Sequence, residues 1–122
     1  MTKTIAAGML TALVLAGTAY AQTPAVYTWT GYGTNVQGSS KCPTYKMVIE
    51  VTVTGQEVKG KFTQEGRAER TFETTLDKGI RIKTAAMVGG GGMMDVIGQI
   101  KDGASHIKLD GYCKFEGPLT KK

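Results

Sequence analysis

From Tyr45 to Val53 the chain reads Tyr-Lys-Met-Val-Ile-Glu-Val-Thr-Val, and this alternation constrains the fold more than any other feature. A period of two places Tyr45, Met47, Ile49, Val51 and Val53 on one face of a strand and Lys46, Val48, Glu50 and Thr52 on the other. The pattern recurs. Val58, Gly60 and Phe62 alternate with Lys59, Lys61 and Thr63; Phe72, Thr74 and Leu76 with Thr71, Glu73 and Thr75. Ile80, Ile82 and Thr84 alternate with Arg81 and Lys83, and Ile107 and Leu109 with Lys108 and Asp110. Tyr27, Trp29 and Gly31 open the series, and Tyr112 to Glu116 close it.

Turn signals fall between these runs at Gly55, Gly66, Asp77-Lys78-Gly79, Gly89 to Gly92, Asp102-Gly103 and Asp110-Gly111. The first five recur about every dozen residues, the cadence of an antiparallel meander joined by hairpins. No helical stripe longer than two turns competes. The expected fold is all-β, with about eight strands and one buried face. Short connections favour a small up-and-down β-barrel, with a β-sandwich as the alternative. Glycines inside strands, such as Gly60 and Gly98, would ease the bending that closure needs.

The first 21 residues stand apart from this pattern. Lys3 supplies a positive start, Ile5 to Gly17 is apolar apart from small residues and Thr11, and Ala19-Tyr20-Ala21 is a signal-peptidase site. Residues 1–21 read as a signal peptide and 22–122 as a single β domain. The expected location is the periplasm or the outside of the cell. No run after residue 21 is apolar for the roughly 20 residues a helical span requires. Without its first 21 residues the 122-residue chain keeps 101, and losing Lys3 lowers the net charge from +5 to +4.

A chain of that size buries a modest core, so a covalent staple helps. Cys42 and Cys113 are the only cysteines, and an oxidising compartment favours joining them. Their pairing would lock the seam of a closed barrel, because Cys42 precedes the second strand and Cys113 lies in the last. The final residues, from Gly117 onward, are expected to fray.

Candidate chemistry is sparse. His106 is the only histidine, and Ser39, Ser40 and Ser105 are the only serines, none within a Gly-x-Ser-x-Gly elbow. Bridged cysteines and a lone histidine cannot build a zinc site. Gly89 to Gly92 lacks the following helix and the Gly-Lys-Ser/Thr ending of a phosphate loop. A thioether copper(I) site at Met87, Met93 and Met94 lacks a second histidine or a Met-rich repeat. No catalytic residue, metal or cofactor is therefore expected, and a small hydrolase is the weakest reading. Lysines and arginines are spread over nearly every strand, which argues against nucleic-acid binding.

The order of motifs resembles small exported proteins of Gram-negative bacteria whose function is uncharacterised. The residues that carry the resemblance are Trp29-Thr30-Gly31, Cys42, Val51-Thr52-Val53, Val58-Lys59-Gly60 and Cys113. A looser similarity to lipocalin-like and avidin-like barrels rests on the early Trp29 and the meander. Those families hold small ligands inside the barrel, which would place a ligand against Trp29, Tyr45, Met47, Phe62 and Phe72. The same residues would otherwise fill a solid core. A second reading makes Met87, Met93 and Met94, which bracket the glycine tip, an adaptable surface for an envelope protein or for inhibition of one. The function expected is thus a non-enzymatic binding or interaction module, monomeric, with an unknown small ligand or envelope partner.

Overall fold

The computed structural model describes residues 23–38 and 40–122; the signal segment expected over 1–21 lies outside them. The described chain forms nine strands: β1 (Ala25–Tyr32), β2 (Lys46–Thr54), β3 (Glu57–Gln64), β4 (Arg70–Thr75), β5 (Arg81–Met87), β6 (Met93–Gln99), β7 (His106–Asp110), β8 (Lys114–Pro118) and β9 (Thr120–Lys121). All neighbours pair antiparallel, in two sheets ordered β4-β3-β2-β1-β9 and β5-β6-β7-β8. The all-β meander is as expected. The glycine tip is the hairpin between β5 and β6, with Met87 opposite Met93 and a tight turn over Gly89–Gly91. Gly90 and Gly91 take φ of 73° and 76° there, a backbone region that favours glycine.

Period-two patterning explains the core. Met47, Ile49, Val51 and Val53 of β2, beside Val58 and Phe62 of β3, share one buried cluster with Ile82, Val96, Ile107, Leu109 and Phe115 of the second sheet. The outward phase holds lysines, threonines and glutamates. Tertiary context changes the reading at a few positions: Ile80 falls in the β4–β5 turn and is exposed, and Tyr112 and Cys113 precede β8 rather than opening it.

The ring of pairing that defines a closed barrel is not formed among the described residues. No ladder joins β4 to β5, and the segment after β1 is tied to β8 by one isolated bridge, Thr34–Lys114, with N···O distances of 2.7 and 3.1 Å. A tight corner joins β4 to β5. Asp77 pairs with Arg81 across a turn in which Lys78 and Gly79 both have positive φ. The Leu76 N–H donates to Gln56 O in the first sheet, and Ile80 O accepts from Ile100 N–H in the second. The corner's own groups thus bond in two directions, Leu76 toward the first sheet and Ile80 toward the second.

The opposite seam is held by other means. Cys42 and Cys113 form the expected disulfide, with Cα atoms 5.6 Å apart, beside the Thr34–Lys114 bridge. The Trp29 indole lies over Gly31 and over Gly117 of β8; a Cβ at Gly117 would fall 1.9 Å from its Nε1. The terminal residues do not fray. The chain bends at buried Leu119 and adds Thr120–Lys121 to β1, where Thr120 faces Thr28. Packing of Leu119 outweighs the weak local propensity of so short a strand. No helix among the described residues is long and apolar enough to cross a membrane.

Candidate functional site

At one end of the two sheets, where β4 begins and β5 ends, lies a hollow of about 180 Å³. Its floor is apolar: Met47 from β2, Phe62 from β3 and Met94 from β6, each almost fully buried. Its wall and rim are polar: Gln64, Arg67, Arg70 and Tyr112. Val88, Ala68 and Gly89 complete the lining. The hollow therefore opens at the pocket end of the unpaired β4/β5 gap.

Each polar group is positioned from the backbone outward. Gln64 continues the inward phase of β3 after Val58, Gly60 and Phe62, so its amide is carried into the interior. It is 6% exposed and the only buried polar side chain among the described residues. The Tyr112 hydroxyl donates to its Oε1. Its Nε2 makes no protein hydrogen bond among the described residues, and since no buried side-chain nitrogen or oxygen there lacks a partner, that nitrogen is open to the hollow. The chain turns just beyond: Glu65 N–H donates to Lys46 O and Arg67 N–H to Gln64 O, both at 2.9 Å. That turn brings the Arg67 guanidinium to 5.7 Å from the centre of the Tyr112 ring, a cation–π arrangement. Tyr45 also packs on Tyr112, edge-on at 6.4 Å between ring centres. The disulfide at the neighbouring Cys113 anchors the Tyr112 turn.

Arg70 begins β4. Its guanidinium approaches the backbone of the glycine tip, where a Cβ on Gly89 would lie 3.3 Å from Nη2. Neither arginine forms a salt bridge among the described residues; the three ion pairs there join Lys59 to Glu73 and Lys61 and Lys122 to Glu50. No acidic side chain lines the hollow.

The residues expected to hold a ligand are divided. Met47 and Phe62 line the hollow; Phe72 packs behind Phe62, its ring 6.4 Å away, and covers Gly60. Tyr45 supports the wall through Tyr112. Trp29 is spent on the β1/β8 seam and does not reach the hollow. The methionine trio divides as well, because Met94 is in the inward phase and Met87 and Met93 in the outward one. Met94 joins the floor, and the other two stand 65% and 56% exposed on the outer surface. Two regions that look separate in sequence, the inward face of β2–β3 and the glycine tip, thus meet in one site.

Gln64, Arg67, Arg70 and Tyr112 were not among the expected residues. Gln64 had a readable signal, a polar side chain at an inward position. The arginines and Tyr112 had none, since they lie in turns or at a strand end, where periodicity is silent. At the far end, Asp102, Ser105 and His106 border an open depression, but the Ser105 hydroxyl is turned to Lys101, donating to its carbonyl and accepting from its N–H at 2.9 Å. No group of three or more His, Cys, Asp or Glu side chains suited to a metal occurs among the described residues. Compared with known proteins, the chain matches no family model, no curated protein and no solved structure.

Proposed function

We propose that the protein is an exported, monomeric, non-enzymatic β domain that works as a binding module, taking the apolar part of a small ligand into the end hollow. The observation that carries this reading is an apolar floor of Met47, Phe62 and Met94 beneath a buried, half-partnered amide, that of Gln64. Apolar clefts with a few convergent polar groups are the usual form of a small-molecule site. Methionine suits such a floor because its flexible, polarisable side chain repacks around different shapes. The disulfide and the amino-terminal signal support export to the periplasm or beyond. In architecture, the domain reads as a barrel left open along β4 and β5, with the ligand entering at the open seam.

Methionine methyl resonances of the disulfide-bonded chain provide the test. Titration with benzyl alcohol is expected to shift the Met47 and Met94 ε-methyls and leave Met87 unmoved. No shift at Met47 and Met94 removes the reading.

A second reading is favoured by one observation, the exposure of Met87 and Met93 directly opposite each other on β5 and β6. That pair would serve as a contact for an envelope protein. Replacing both with threonine, well suited to a strand, should then abolish capture of that protein while leaving the benzyl alcohol response intact.

A further inference from the structure

Resting on the binding reading above, we infer that the ligand of the end hollow is a monocarboxylate whose apolar part is about the size of one aromatic ring. The floor sets the size. A volume of about 180 Å³ has room for a ring or a short branched chain inside the hollow, since an apolar cavity of roughly 150 Å³ takes a benzene molecule.

The wall sets the charge. Arg67 and Arg70 bring two guanidinium groups to the rim, and neither has a carboxylate within salt-bridge distance among the described residues. Glu65 and Glu69, their nearest acids in sequence, are exposed and pair with neither. Gln64, more than nine-tenths buried as a residue, adds an Nε2 that makes no protein hydrogen bond and is open to the hollow. Two cations and an amide donor, with no acid, select an anion.

A carboxylate matches this donor set in shape as well as in charge. It is planar, and guanidinium forks and amide N–H groups meet it in its own plane. The arrangement also gives the glycine tip a purpose. The Arg70 guanidinium lies close to the backbone at Gly89, where a Cβ would stand 3.3 Å from Nη2. Tyr112 serves both halves of the site: its ring holds the Arg67 guanidinium, and its hydroxyl fixes Gln64 with the amide nitrogen free.

The test uses the full mature chain with its disulfide intact and three probes of one shape class: phenylacetate, neutral phenylacetamide and phenyl phosphate. Binding is read from the Met47 and Met94 ε-methyl resonances. Phenylacetate is expected to bind about tenfold or more tightly than phenylacetamide at low salt, a difference of about 1.4 kcal/mol and small for charge-assisted hydrogen bonds. The Arg67→Gln/Arg70→Gln double variant should bring phenylacetate down to the affinity of phenylacetamide measured on the same variant; an unchanged circular dichroism spectrum checks the fold. Equal affinities, or a preference that survives the double variant, overturn the carboxylate and leave the binding reading standing. Tighter binding of phenyl phosphate than of phenylacetate overturns it in favour of a phosphate head group. No methyl shift with any probe removes both readings.

Discussion

Gln64 is the residue whose polarity conflicts most with its position. It occupies an inward strand position that its neighbours fill with Val58 and Phe62, and a single hydroxyl satisfies its carbonyl. Removing that hydroxyl with Tyr112→Phe leaves the oxygen buried without a donor, which costs about 1–3 kcal/mol. Urea denaturation should show this loss. The Tyr112→Phe/Gln64→Leu double variant should recover part of it, because replacing both partners leaves no orphaned polar group. A single residue of different character is Gly117, which exists to receive the Trp29 ring. Gly117→Ala forces the indole aside and should destabilise the fold by about 1–3 kcal/mol, with a shift of tryptophan emission as the indole moves. The early tryptophan was readable as important. That it closes a seam instead of touching a ligand depends on Gly117 of β8, 88 residues later in the chain.

At the scale of elements, strands β2 to β7 follow the alternation closely, because each has a face that water excludes and a face that water accepts. What alternation does not reveal is which strands meet. Glu50 on β2 illustrates this. It lies opposite Lys61 on β3 and also receives Lys122, which follows β9, at N···O distances of 3.4 and 3.3 Å. The Lys122 hydrogen bond, with the attraction of Lys61, holds its carboxyl below the ordinary value of 4.5 against the opposing effect of partial burial. A depressed carboxyl stabilises the folded state fully above its unfolded pKa and loses that contribution as pH falls through the lower folded value. The expected outcome is a stability that declines as pH is taken below about 4.5, with a smaller decline in Glu50→Gln. Because both lysines are more than half exposed, the difference should stay under about 1 kcal/mol and shrink in salt. Equal acid profiles for the two proteins would show that Glu50 contributes nothing. The β9 pairing escaped periodicity because two residues contain no period.

Across the whole molecule, one covalent bond spans most of the fold. The disulfide closes a loop of 71 residues, for which the chain-entropy model gives about 4 kcal/mol. Replacing Cys42 and Cys113 with serine should remove much of that stability in denaturant, and it should broaden the Tyr112 signals first, since Tyr112 adjoins Cys113. Unchanged Tyr112 signals would mean that Tyr45 and Arg67 alone hold that turn. The two-sheet arrangement has its own consequence. Hydrogen bonds do not close the β4/β5 gap, so its pocket end is where side chains, and not ladder, form the wall. This is why the hollow lies there.

Sequence alone determined the all-β meander, the positions of most strands and hairpins, and the pairing of the two cysteines. Each depends on local alternation, on turn chemistry or on there being only one possible pair. Half of the site's floor was also legible, as Met47 and Phe62 on inward phases. Tertiary structure decided the rest: that the sheets do not close into a ring, that Met94 parts from Met87 and Met93, and that Arg67, Arg70 and Tyr112 converge on Gln64. These outcomes turn on contacts between segments far apart in the chain, and a period of two carries no record of them.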